Sequence, residues 1–221
     1  EQCALAAKAF REFGCLVVKD SRVKEEQNQN FLDMLEDYFD RPNDTKMTEV
    51  RPDVSYQVGA TPSFTELPRN HCERMRGYKE ADKPLSLCPP EKDPKWRFFW
   101  RLGARPESTE FAELNAEAVV PEGIPQWKDT MDAWGANMLR ALENVAQMSA
   151  LGFGLELDAF KSKMNLGPHL LAPTASNFNK FAVEGTVLAG YHYDLNFMTI
   201  HGRSRYPGLY IWTREGQKCR V

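Results

Sequence analysis

The stretch Gly185-Thr-Val-Leu-Ala-Gly-Tyr-His-Tyr-Asp-Leu-Asn-Phe-Met-Thr-Ile-His-Gly-Arg-Ser-Arg-Tyr-Pro-Gly-Leu-Tyr-Ile-Trp-Thr-Arg-Glu-Gly216 decides how the rest of the chain is read. It holds three short apolar runs, Thr186-Val-Leu-Ala189, Phe197-Met-Thr-Ile200 and Leu209-Tyr-Ile-Trp212, with Tyr206-Pro-Gly208 and Arg214-Glu-Gly216 as turn signals around the last. Runs of this length between Gly and Pro predict β-strands, and His169-Leu-Leu-Ala172 upstream adds a fourth. Within Gly190-Tyr-His-Tyr-Asp194, one residue separates His192 from Asp194. Extended backbone turns alternate side chains to one face, so an imidazole and a carboxylate are expected to converge on one point.

Neutral imidazole nitrogen and carboxylate oxygen together suit a ferrous ion, and a two-His-one-carboxylate set leaves coordination positions open for other ligands. The His-x-Asp spacing alone is a weak signal, since many strands carry it by chance. What precedes it is helical. Leu5, Ala9, Phe10 and Phe13 recur at helical spacing, Gly14 supplies a stop, and Cys15-Leu-Val-Val18 then reads as a short buried strand. A second helix is predicted over 23–40, where Phe31, Leu32, Leu35, Tyr38 and Phe39 line one face, and Pro42 ends it.

Residues 41–125 are rich in Pro, Gly and charge and predict extended loops with short elements. Lys95-Trp-Arg-Phe-Phe-Trp-Arg101 interleaves rings with basic groups, a composition that can stack on bases. In a net acidic chain it reads instead as a strand or loop burying its rings in the core. The longest helix is predicted over 126–151, with Trp127, Met131, Trp134, Met138, Leu142 and Val145 stepping every three or four residues, and Leu157 to Met164 predicts a further short helix. Helices first and strands afterwards give an α+β architecture. Residues 1–125 form a helix, strand and loop region, residues 126–221 the long helix and the sheet, and the two make one structural domain.

The 221 residues carry 28 Lys and Arg against 31 Asp and Glu, a net charge of −3, which argues against a nucleic-acid partner. The hydrophobic share is 42%, ordinary for a folded chain. No apolar run approaches the roughly 20 residues of a membrane span, and no charged-then-apolar leader opens the sequence. Five scattered cysteines, Cys3, Cys15, Cys72, Cys88 and Cys219, form no Cys-x-x-Cys pair. Reduced thiols and a cytoplasmic, reducing compartment are the expectation.

The stretch from Gly185 to Gly216 resembles the core of the isopenicillin N synthase-like family of iron(II)/2-oxoglutarate-dependent dioxygenases. The elements match in order: a strand into His192-x-Asp194, an apolar strand with Leu195 and Thr199, the Pro207-Gly-Leu209 turn, an apolar strand, and a charged hairpin with Gly216. Phe10-Arg-Glu-Phe-Gly-Cys-Leu-Val-Val18 is similar to the family's first helix and following strand, Phe31 to Asp40 to its next helix, and Arg97-Phe-Phe-Trp-Arg-Leu-Gly103 matches loosely. The resemblance implies a double-stranded β-helix, the cupin-like jelly roll, with the N-terminal and central helices packed on it. It implies Fe(II) held by His192, Asp194 and a distal histidine, 2-oxoglutarate as cosubstrate, O2, and a small-molecule substrate that is hydroxylated or oxidised. Tyr191, Tyr193, Asn196 and Thr199 are pocket-lining candidates by proximity to the ligands.

In that family the distal histidine and an Arg-x-Ser motif that grips 2-oxoglutarate follow the hairpin, and neither is among residues 1–221. The expectation is a chain retained from a longer polypeptide, with C-terminal strands of the jelly roll missing. His201 sits at an odd offset from Asp194, His169 precedes the sheet, and His71 beside Cys72 reads as solvated. The strand before the motif reads His169-Leu-Leu-Ala-Pro-Thr174 and lacks the tyrosine that many members use for the cosubstrate. Three functions stay open: a working dioxygenase, a catalytically inactive relative acting as a structural subunit with a protein partner over its open sheet edge, and a binding module without turnover.

Overall fold

The computed structural model describes residues 1–221. The helices fall where periodicity places them: α1 spans Gln2–Glu12, α2 Glu25–Phe39 and α5 Trp127–Gly152. Two short helices, α3 (Asn43–Met47) and α4 (Cys72–Arg76), sit in the loop-rich middle, and α6 (Phe178–Phe181) follows the sheet. Gln27 caps α2 by accepting the Lys24 backbone N–H at 2.9 Å. The helix predicted over 157–164 is reduced to a 3-10 turn at Lys161–Met164.

Of the two forms open to the basic and aromatic segment, strand or loop, it takes the strand: β2, Trp96–Leu102. It pairs antiparallel with β1 (Gly59–Thr61) on one edge. On the other it meets β3 (His169–Leu171) and β4 (Thr174–Ala175). Pro173 interrupts that second edge because it has no N–H, yet its carbonyl still accepts the Phe98 N–H at 3.0 Å. His169 is thus inside the sheet, opposite Leu102, and not ahead of it. A separate hairpin joins β5 (Tyr210–Trp212) to β6 (Lys218–Arg220) through the Gly216 turn.

Alternation along β2 sends Phe98, Trp100 and Leu102 into the core, where α2 and α5 close over them. Tyr38, Phe98 and Trp127 meet there with ring centroids 4.7–5.3 Å apart, and Phe31 stacks on Trp134 at 5.2 Å. Tyr38 is fully buried, and its hydroxyl donates to Glu49 Oε2 at 2.5 Å, which satisfies the one polar atom of that ring. The opposite face of β2 carries Arg97, which covers the Phe99 ring at 3.6 Å and pairs with Glu66. At the far end of α5, Gly152 lets α1 approach: a Cβ there would lie 2.0 Å from the Cys3 carbonyl oxygen.

Three predicted strands do not form. Residues 15–18, 186–189 and 197–200 are irregular, and no strand runs beside them. The reason is physical: a strand has no internal hydrogen bonds and exists only where another backbone offers a ladder. Without partners these runs leave apolar groups in water, Val17 at 100% and Phe197 at 59% exposure. The architecture is helices with antiparallel sheets, and the strands of residues 1–221 stand in two separate sheets, not a closed barrel.

The thiol expectation is also corrected. Cys72 and Cys88 form a disulfide with their Cα atoms 5.6 Å apart, while Cys3, Cys15 and Cys219 stay free. Scattered spacing hid the pair, because α4 and the following loop fold back and bring residues 16 apart together. No helix is long and apolar enough to cross a membrane.

Candidate functional site

The segment 190–194 is irregular backbone, yet it separates its side chains as an extended chain would. His192 Nε2 lies 3.4 Å from Asp194 Oδ1. Tyr191 and Tyr193 pair with each other instead, their hydroxyls 3.2 Å apart. The two kinds of residue therefore have different surroundings, although they alternate within one short stretch of sequence.

On the ligand side, His192 Nδ1 is 2.7 Å from the Gly190 carbonyl oxygen. A carbonyl only accepts, so in the neutral ring the proton sits on Nδ1 and the lone pair is on Nε2, beside the carboxylate. Asp194 is held in turn: the Thr199 hydroxyl donates to Oδ2 at 2.6 Å, and Asn196 Nδ2 donates to Thr199 Oγ1 at 2.7 Å. Two ligands about 2.1 Å from one ion in adjacent positions lie about 3 Å apart, so the His192–Asp194 geometry fits a shared ion. Thr199 and Asn196, read as pocket candidates, are placed to orient the carboxylate. No third His, Cys, Asp or Glu gathers with this pair into a cluster of three, and His201 does not join it.

On the other side, Tyr191 OH lies 2.7 Å from Tyr78 OH, whose oxygen accepts from Arg74 Nε at 3.2 Å. The Arg74 guanidinium covers the Tyr193 ring at 5.2 Å, and the His71 ring meets both tyrosines edge-on. His71 is therefore part of an aromatic cluster and not simply solvated. Burial pushes the Tyr78 phenol up, but its hydrogen bonds with Tyr191 and Arg74 outweigh that, and it ends below the ordinary phenol value. Burial, then the bonds to Tyr193 and Tyr78, push Tyr191 far above it. Tyr78 is consequently the first of these two phenols to ionise, beside the guanidinium that balances it.

The segment is anchored from a distance. Gly190 N–H donates to Asp93 Oδ1 at 2.8 Å, Tyr191 N–H to Ser86 Oγ at 2.5 Å, and Trp212 Nε1 to the Asp82 carbonyl at 2.5 Å. Asp82 also accepts the Lys218 N–H through Oδ1 at 2.9 Å, which ties the β5–β6 hairpin to the same loop. A cavity of about 310 Å³ lies behind Gly190 and Tyr191, walled by Phe64, Pro68, His71 and Asp93. None of Tyr78, Asp82, Ser86 or Asp93 stood out in the sequence. The one available signal was the Asp93-Pro-Lys95 turn just before β2, which is too common to single out.

Residues 2–130 match the family described as non-haem dioxygenase in morphine synthesis N-terminal. Among solved structures, a 2OG-Fe(II) oxygenase family protein from Caulobacter crescentus is similar, with a TM-score of 0.59, 19% identity, and 79% of this chain and 52% of that one covered. A full-length Neurospora crassa protein, solved in complex with alpha-KG and 5-formyluracil, gives a TM-score of 0.68 at 16% identity, over 99% of this chain and 61% of that one. JOX2, solved with 2OG, Fe and JA, gives 0.51 at 17% identity over 77% and 42%. This chain thus spans about half to three fifths of the first two of these structures, and at such identities the likeness is one of fold. A comparison with the curated proteins finds no match.

Proposed function

The chain belongs to the isopenicillin N synthase-like family of 2-oxoglutarate/iron(II) oxygenases, and from that premise we propose that it supplies two iron ligands of a non-haem oxygenase acting on a small molecule. One observation carries the reading: His192 commits its Nδ1 proton to the Gly190 carbonyl and presents Nε2 next to the Asp194 carboxylate. That tautomer and that separation are what a shared metal requires. The jelly-roll closure, the third ligand and the Arg-x-Ser grip on 2-oxoglutarate are assigned by the resemblance to sequence beyond the hairpin.

When bound, Fe(II) with 2-oxoglutarate and O2 supplies the oxidising chemistry by which this family removes hydrogen from a substrate. The residues of this chain bind and orient. His192 and Asp194 hold the ion, Thr199 fixes the carboxylate that faces it, and the Tyr78–Tyr191–Tyr193 cluster keeps the ligand segment seated. Two of the similar structures were solved with small molecules bound, 5-formyluracil and JA, which supports a small-molecule substrate here. The inactive-subunit reading finds no such support.

Iron-dependent consumption of 2-oxoglutarate by the full-length protein tests the proposal. His192→Ala should abolish it. Turnover by that variant at the wild-type rate would sink the site assignment.

A further inference from the structure

We infer that Ser86 and Asp93 are positioning residues that set the tautomer and direction of His192 by holding the peptide units around Gly190; this rests on the function proposed above. The peptide joining Gly190 to Tyr191 is held at both ends. Its carbonyl accepts the His192 Nδ1 proton at 2.7 Å, and its N–H donates to Ser86 Oγ at 2.5 Å. The preceding N–H, that of Gly190, donates to Asp93 Oδ1 at 2.8 Å. Two consecutive N–H groups with fixed acceptors leave the carbonyl between them little freedom to turn, and the imidazole follows the carbonyl.

Asp93 is suited to the task because it is itself immobile. It is 4% exposed, its N–H donates to the Glu66 carbonyl at 3.0 Å, and its carbonyl accepts the Phe64 N–H at 2.9 Å. Its second oxygen takes Lys95 Nζ at 2.8 Å, and Lys95 also reaches Glu66 at 3.2 Å, which pairs with Arg97 of β2. The ligand is therefore referenced to the central strand through a chain of charges that starts at buried Asp93 and runs through half-buried Lys95, Glu66 and Arg97. Glycine is required at 190 for this approach, since a Cβ there would meet Pro68 Cγ at 2.6 Å and Asp93 Oδ1 at 3.4 Å. A carboxylate that accepts a buried backbone N–H and a lysine makes stronger bonds than a neutral group would.

The test compares wild-type, Ser86→Ala and Asp93→Asn forms of the full-length protein, with Ser86→Thr as the conservative rescue. In the metal-free protein, long-range nitrogen–proton NMR of His192 should show the Nδ1–H tautomer in the wild type and in Ser86→Thr. In Ser86→Ala and Asp93→Asn a substantial Nε2–H population should appear. Cobalt(II) titration should weaken about 10–100-fold in the same two variants, the usual size of an outer-shell loss. Circular dichroism checks that each variant folds; because Asp93 is buried, the half-buried Ser86 keeps the test decisive if Asp93→Asn does not. A wild-type tautomer together with wild-type cobalt affinity in Ser86→Ala overturns the inference alone. Wild-type protein that binds no cobalt, or a His192→Ala form that binds it equally well, overturns the proposed function instead, and the tautomer measurement still decides the role of Ser86.

Discussion

Breaking the Cys72–Cys88 bridge should cost this protein about 3 kcal/mol, because loop-closure entropy for a cross-link across some 16 residues has that magnitude at 25 °C. The closed loop is more than a staple on the unfolded chain. It carries Tyr78, Asp82 and Ser86, which hold Tyr191, Trp212, Lys218 and the ligand segment, so the folded state is also affected where it matters for the site. At a urea slope of about 2–3 kcal/mol per molar, the midpoint should fall by about 1–1.5 M on reduction. The assay is equilibrium urea unfolding of the oxidised protein, of the protein held reduced by a phosphine, and of Cys88→Ser, whose substituted side chain is exposed. Thiol titration of the oxidised protein in denaturant should find the three free cysteines. Five reactive thiols, or unfolding midpoints that coincide in the oxidised and reduced forms, would refute the reasoning.

Three further outcomes are expected. Trp127→Ala should destabilise by about 3–5 kcal/mol in chemical unfolding, since the ring is fully buried between Tyr38 and Phe98, and a loss under about 1 kcal/mol would mean the core is packed differently. Gly152→Ala should cost about 1–3 kcal/mol and open the α1 segment to limited proteolysis, because the added methyl meets the Cys3 carbonyl; an unchanged digestion pattern would argue that α1 docks elsewhere. Burial pushes the Glu49 carboxyl above its ordinary 4.5, against the smaller opposing effect of the Tyr38 hydroxyl. The native state then holds that proton more tightly than the unfolded chain, so its contribution is full below 4.5 and fades as pH rises through the raised folded value. Unfolding curves from about pH 4 upward should show this decline in wild type and a shallower one in Glu49→Gln, and equal slopes would contradict it.

Elements whose hydrogen bonds are internal were legible from residue spacing. Helices α1, α2 and α5 follow from apolar spacing at a 3.6-residue period and from stops at Gly14, Pro42 and Gly152 to Gly154, and they formed where that spacing put them. Strand β2 was legible as a buried run because its alternating rings have no other use in an acidic chain. His192 and Asp194 came together because alternation of side chains is a local property that survives even where no ladder forms. The remaining features depend on packing between distant segments. Residues 15–18, 186–189 and 197–200 have strand composition but no neighbouring backbone to pair with, so pattern was insufficient. The Cys72–Cys88 bond and the anchors Tyr78, Ser86 and Asp93 join positions 97–113 residues away to the ligand segment, or close a loop of their own. Such contacts depend on how α4 and β2 pack beside the segment, and a hydroxyl or carboxylate in a Pro-rich loop carries no mark of the partner that packing will bring to it.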